Sequence, residues 1–98
     1  MEELQIGTHF NLKNYYCGTS TPYTVIARPS ECRAVARKCH MVFPNPCYYD
    51  TLPLAIFEGR EGIEEEIVLT KTKSGWQEKG NKYDAVRVGD WKYSPYLD

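Results

Sequence analysis

The chain has 98 residues, of which 42% are apolar, enough for one domain with a single modest core. Twelve basic residues nearly balance 13 acidic ones, and the net charge of -1 argues against a dedicated nucleic-acid binder and against an acidic nucleic-acid mimic. Residues 1–6 lack the basic and apolar regions of a secretory signal, and no apolar run approaches the roughly 20 residues that span a bilayer. We therefore expect a soluble, cytoplasmic protein.

The first third of the chain predicts two strands separated by a loop. Apolar or small residues alternate with other residues over 6–12, a period of two that is typical of a half-buried strand. Residues 14–22 combine tyrosines, a glycine and Thr-Ser-Thr-Pro, and are predicted to form a loop. Residues 23–28 are rich in β-branched side chains and form the second predicted strand, which Pro29 closes.

Residues 31–43 form the one run in which a helix competes with a strand. The alanines and basic residues in its middle are compatible with a short helix. Against this, Arg33 and Arg37 fall on one side of an alternating pattern, and Ala34 and Ala36 fall on the other. We favour the strand.

The second half of the chain begins with a break at 44–46, where two prolines flank an asparagine, and continues as a predicted loop over 47–53. Residues 54–57 are a short apolar run before a glycine-rich turn. Residues 67–70 are predicted to form a strand with Ile67 and Leu69 on one side. The second half of the chain therefore also favours strands.

The last quarter of the chain has the pattern of a tight β meander. Residues 73–75 are predicted to turn the preceding strand back onto Trp76, and residues 83–88 and 91–93 complete the meander. The sequence therefore predicts an all-β fold over residues 1–98. We expect a small single-domain barrel or a strongly bent antiparallel sheet, SH3-like or related, with room for one short helix.

The cysteines do not indicate a metal site. Cys17, Cys32, Cys39 and Cys47 show none of the Cys-x2–4-Cys spacings of structural zinc sites, so neither a metal nor a cofactor is predicted. A reducing compartment would leave them as thiols. Sequence alone leaves open whether they are thiols, disulfides or ligands.

No catalytic residues are predicted, and we do not expect an enzyme. His9 and His40 lie in no recognisable catalytic motif. The acidic residues at 64–66 are typical of a solvated edge beside a turn. The glycines at 59 and 62 lack the Lys-Ser/Thr that follows a phosphate-binding loop.

Two groups of residues are candidate binding residues. Arg33 and Arg37 would share one face of a strand and could hold phosphates or a carboxylate-rich partner, although a charged solvent face is the simpler explanation. The loop tyrosines, a residue type that often anchors protein interfaces, are Tyr15, Tyr16, Tyr48 and Tyr49. Trp76 and Trp91 are predicted to lie in the core.

Several short elements occur in a characteristic order. An early strand with Gly7 precedes Pro22-Tyr-Thr-Val25, which leads into a strand with alternating basic residues. Later come Lys-x-Lys-x-Gly-Trp76, a Lys-Gly turn, and a tail with spaced glycine and tyrosines and a terminal acid. In this order the chain resembles a set of small β proteins encoded by bacteriophage and prophage genomes. The segment 39–53 departs from that pattern. The resemblance implies a phage accessory protein and carries no functional residues with it.

These features predict a non-enzymatic binding protein of phage type. The leading hypothesis is an inhibitor of a bacterial host defence, such as CRISPR immunity, that occludes a host protein in the host cytoplasm, with no membrane partner. One alternative is sequestration of a small cyclic nucleotide in a pocket between identical subunits, formed by Arg33, Arg37 and an aromatic residue. Another is a small nucleic-acid-binding barrel that uses Trp76, Trp91 and nearby lysines.

Overall fold

The computed structural model describes residues 4–14, 16, 18–44, 52–58, 65–80 and 84–94. Within them the chain forms eight strands and no helix, which confirms the all-β prediction. The strands are β1 (His9–Asn14), β2 (Thr19–Ser30), β3 (Arg33–Lys38), β4 (His40–Val42), β5 (Ala55–Phe57), β6 (Glu66–Thr72), β7 (Gly75–Glu78) and β8 (Asp84–Val88). Nothing in these ranges is a helix long and apolar enough to cross a membrane.

Six strands form one antiparallel sheet in the order β7-β6-β3-β2-β1-β8, and β4 pairs with β5 in a separate two-stranded sheet. The large sheet curls until its edge strands, β7 and β8, approach each other. No ladder joins these two strands, so the described sheet is a nearly closed barrel, as the sequence predicted.

The core lies inside the barrel and is built from alternate residues of its strands. Phe10 of β1 and Tyr23 of β2 are cross-strand partners whose rings stack 5.6 Å apart. Small residues on β3 leave room for larger neighbours, since Ala34 pairs with Leu69 of β6. The buried cluster contains Leu4, Phe10, Leu12, Tyr23, Val25, Ala34, Ala36, Leu69 and Trp76.

The competition between helix and strand at 31–43 is resolved in favour of strands, β3 and β4. Ala34 and Ala36 are fully buried, so Arg33 and Arg37 lie on the outer face, as the alternation predicted. The prediction for β6 is confirmed in the same way, because Leu69 is buried while Val68 faces outward.

The first predicted strand is placed too early. A turn over residues 5–8, closed by the bond from Thr8 N to Gln5 O (2.9 Å), precedes β1. Gly7 takes a φ of +92° in this turn, a conformation that suits glycine, and Ile6 is exposed. The strand therefore begins at His9.

The loop predicted over 14–22 is wrong for residues 19–22, which belong to β2. Pro22 is tolerated within β2 because β3 ends at Lys38, so no residue of β3 opposite Pro22 needs its missing N–H. The Cys39 amide donates to the Pro22 carbonyl (3.0 Å), but proline has no N–H to return the bond. The β2–β3 ladder stops at this pair, and the chain leaves the barrel for β4.

The predicted meander holds for the β6–β7 hairpin but not beyond it. β8 pairs with β1, at the other edge of the sheet from β7, and residues 91–93 are not a strand. The chain leaves β8 at Gly89, whose φ is +143°, and returns across the outside of the barrel. We call residues 90–94 the strap. It ends at Ser94, which bridges to Ser20 of β2.

Candidate functional site

The two-stranded sheet forms a projection that we call the arm, comprising residues 40–44 and 52–58. Leu52 and Leu54 on it are 64% and 73% exposed, and Val42 is 38% exposed. The Leu54 amide donates to the Val42 carbonyl (2.6 Å), so these side chains belong to one small region. Exposed apolar side chains that lie together, as these do, can mark an interaction surface.

The arm is fixed to the barrel by side-chain contacts at both ends. At the end where His40 pairs with Phe57, Cys39 is fully buried with its sulfur 3.4 Å from Thr24 Oγ1, and Glu58 Oε1 lies 3.8 Å from His9 Nε2. At the other end, beyond Val42, Phe43 meets the ring of Tyr93 on the strap edge-to-face at 5.4 Å. The arm is therefore held at both ends while its leucines stay exposed.

A second feature is the gap between β7 and β8, which we call the seam. It encloses about 390 Å³. Residues 74–76 line it on the β7 side and residues 85–88 on the β8 side. Because no ladder joins β7 and β8, the seam is bounded by two strand edges.

A basic pocket of about 290 Å³ lies on the other side of β8. Lys13 of β1, Arg87 of β8 and Lys92 of the strap line it, together with a single acid, Asp90. Arg87 and Val88 line both this pocket and the seam. Three basic side chains and one acid therefore line this pocket on the outer face of β1 and β8.

A buried asparagine holds the middle of the strap on the barrel, and Ser94 at its end exchanges two backbone bonds with Ser20 (2.9 Å each). Asn11 Nδ2 donates to the Asp90 carbonyl (2.7 Å), and Asn11 Oδ1 accepts from the Lys92 amide (2.6 Å). Between these bonds, Trp91 stacks on His9 at 4.0 Å and donates from Nε1 to the Tyr23 carbonyl (3.2 Å). Trp91 is therefore an outer-face residue, and its predicted place in the core is wrong.

Trp76, in contrast, is in the core as predicted, and its ring covers a structural arginine. The guanidinium carbon of Arg28 lies 4.9 Å from the Trp76 ring centroid. The same guanidinium donates to the carbonyls of Leu4, Glu31 (3.0 Å) and Arg33 (3.1 Å). Arg28 thus joins the N-terminal segment to the β2–β3 turn.

Tyr23 is a buried phenol whose pKa departs from its ordinary value. Burial raises the pKa of Tyr23 to about 12, and the nearby carboxylates of Glu78, Glu65 and Asp84 act in the same direction. A phenol held neutral in this way is a structural group. Among the described residues, no set of three or more His, Cys, Asp and Glu side chains could hold a metal ion.

The structure separates the binding residues predicted from sequence. Tyr16 is 88% exposed, next to the start of β2. Arg37 is half-buried and pairs with Glu66 (2.9 Å), whereas Arg33 is exposed on the same outer face. The remaining candidates, Tyr15, Tyr48 and Tyr49, lie outside the described residues.

Sequence reasoning missed the leucines of the arm and the basic residues around β8. Leu52 and Leu54 flank Pro53, and large apolar residues beside a proline in a predicted loop are a usable signal for an exposed patch. Lys13, Arg87 and Lys92 come from distant parts of the chain, and no local pattern could have brought them together. Comparisons of the chain with protein-family models, with curated proteins and with solved structures found no match.

Proposed function

We propose that this protein is a non-enzymatic binding protein that attaches to another protein through its arm. The observation that carries the proposal is the exposure of Leu52, Leu54 and Val42 on one anchored projection. Apolar side chains that fill pockets at the centre of an interface commonly dominate its affinity. The contacts at both ends of the arm limit the conformational freedom lost on binding.

We further propose that the partner is a host protein of a bacterial defence system, whose surface the arm occludes. The resemblance to phage and prophage proteins supports this class of partner. The opposed charges of the acidic segment 58–66 and of the two basic segments, 28–38 and 71–82, support docking to a charged protein surface, where they would set the orientation.

The positions of the two tryptophans weaken the nucleic-acid alternative. Trp76 is buried, and Trp91 has one face stacked on His9, so neither ring resembles an open stacking platform. The cyclic-nucleotide alternative loses part of its predicted site, because Arg37 is already paired with Glu66. A protein partner remains the function that the described residues favour.

The test compares the wild-type protein with the double variant Leu52→Ser, Leu54→Ser. Ile6→Ser is the matched control, because Ile6 is 69% exposed and lies outside the arm. A tagged protein would be used to capture its partner from a bacterial lysate, and the purified pair would then be measured by calorimetry. We expect the arm variant to weaken binding about tenfold or more, as for removal of hot-spot side chains, and the control to bind like the wild type.

Equal binding by the arm variant would show that the arm is not the docking surface. Absence of a stoichiometric protein partner, with a nucleotide recovered from the same sample, would overturn the proposal in favour of the nucleotide alternative. Restored phage plating on a host that carries the captured defence protein, lost with the arm variant, would support the defence role.

A further inference from the structure

We propose that the strap positions the arm for its protein partner, and that Tyr93 is the positioning residue through which the strap acts. The inference rests on the proposed function in that the arm carries the docking surface. It goes further by assigning a role in binding to a segment that lies outside the arm. The steps below follow from the size of the arm, its contacts with the strap, and the bonds that hold the strap.

The arm is too small to keep one shape by itself. Its two strands share three residue pairs, which run from His40 with Phe57 to Val42 with Ala55. An isolated two-stranded sheet is marginally stable at best in water, so its order depends on packing against other elements. The contacts at the two ends of the arm therefore decide how well its exposed leucines are held in one arrangement.

The strap contacts the arm beside these leucines. Phe43 directly follows β4, and its half-buried ring meets the half-buried ring of Tyr93 edge-to-face at 5.4 Å. The residue before Phe43 is Val42, whose carbonyl accepts a hydrogen bond from the Leu54 amide (2.6 Å). The strap contact is thus one residue away from the bond that holds Leu54.

The strap also reaches the other end of the arm, through His9. Trp91 stacks on His9 at 4.0 Å, and His9 Nε2 lies 3.8 Å from Glu58 Oε1. The side chains of His9 and Glu58 are 43% and 67% exposed, and exposed pairs of this kind contribute little. We therefore assign the main effect to Tyr93, because an edge-to-face aromatic pair is attractive beyond the area it buries.

The strap can support the arm because Tyr93 lies between two points that are fixed to the barrel. On one side, the Lys92 amide donates to Asn11 Oδ1 (2.6 Å). On the other side, Ser94 exchanges two backbone bonds with Ser20 (2.9 Å each). An arm that already packs against a fixed ring loses less conformational freedom when a partner binds.

The first experiment needs no partner. Hydrogen exchange of the Leu54 amide reports how often the arm opens, because this amide bonds to the Val42 carbonyl. We expect Tyr93→Leu to raise the exchange rate about two- to tenfold, the effect of losing one aromatic pair. Tyr93→Phe is the matched control, since it keeps the ring, and it should exchange like the wild type.

The second experiment measures by calorimetry the affinity for the protein partner captured through the arm. We expect Tyr93→Leu to bind about two- to tenfold more weakly than Tyr93→Phe. A double-mutant cycle with Phe43→Leu separates positioning from direct contact with the partner. If Tyr93 acts through Phe43, the two substitutions are less than additive, whereas a Tyr93 that contacts the partner by itself gives additive losses.

Each outcome separates the strap from the arm. Unchanged Leu54 exchange in Tyr93→Leu would overturn the positioning role, and so would full additivity in the cycle. If Leu52→Ser, Leu54→Ser weakens binding while Tyr93→Leu does not, the strap proposal falls and the proposed function stands. If Tyr93→Leu speeds the exchange while Leu52→Ser, Leu54→Ser binds like the wild type, the strap still orders the arm and the proposed function falls.

Discussion

Replacing Asn11 by alanine should loosen the middle of the strap, while its end stays paired with Ser20. The side chain is almost fully buried and makes two short bonds to strap backbone, one to the Asp90 carbonyl and one from the Lys92 amide. A typical hydrogen bond contributes about 0.5 to 1.5 kcal/mol net to the free energy of unfolding. Loss of both bonds would therefore lower that free energy by at most about 1 to 3 kcal/mol. Asp90 and Lys92 are exposed and can bind water once freed, which places the expected loss at about 1 to 2 kcal/mol.

The assay is urea unfolding of the Asn11→Ala variant, with Lys13→Ala on the outer face of the same strand as the comparison. In a parallel thermal unfolding measurement, the melting temperature should fall by about 4 to 8 °C for each kcal/mol lost, as is usual for domains near this size. Trp91 fluorescence should also shift to longer wavelength, because the ring stacks on His9 only while the strap is in place.

A double-mutant cycle with Trp91→Phe tests whether Asn11 stabilises the protein by holding the strap. If Asn11 acts by holding the strap, the two substitutions should be less than additive, since either one loosens the same segment. An unfolding free energy within about 0.3 kcal/mol of the wild type would refute the reasoning, and so would full additivity of the two substitutions.

The remaining predictions concern the core and its polar anchors. Leu69→Ala should cost about 2 to 4 kcal/mol in urea unfolding because Leu69 is fully buried in the core, whereas Val68→Ala on the opposite face of β6 should cost under about 1 kcal/mol. Arg28→Lys keeps the charge but loses the planar fork that joins three carbonyls, so we expect it to cost about 1 to 3 kcal/mol, while Arg33→Lys leaves the unfolding free energy unchanged. Tyr23 ionises near pH 10 when unfolded but only near 12 when folded, because its pKa is raised; its contribution to stability is therefore complete below pH 10 and is lost as the pH rises from 10 to 12. Tyr23→Phe should flatten that decline in a series of unfolding measurements over the same pH range, and an unchanged slope would contradict the assignment.

The fold could be predicted from sequence wherever one strand alternates between two environments. Ala34 and Ala36 face inward and Arg33 faces outward because the side-chain period of a strand is two, and Leu69 and Val68 divide in the same way. The β6–β7 hairpin was also predictable, since its turn residues and its paired strands are neighbours in the chain.

The candidate sites were less predictable. Residue type alone predicts the tyrosines and arginines as binding residues, because both are frequent in interfaces, but Arg37 is engaged with Glu66. The exposed leucines of the arm depend on where β2 and β3 separate. That separation follows from the missing N–H of Pro22, a local fact whose consequence appears only when Cys39 lies opposite it.

The sequence by itself determined that the chain makes β-strands, which of their faces are apolar, and that its charge is balanced. These properties are local and follow from residue period and composition. Only the tertiary structure decided that β8 pairs with β1, that the strap crosses the barrel, and that a seam is left between β7 and β8. Such pairings join residues far apart in the chain, so each must offset the entropy lost in closing a long loop with contacts such as that of Asn11 with Asp90. No local pattern in the sequence contains that balance of free energies.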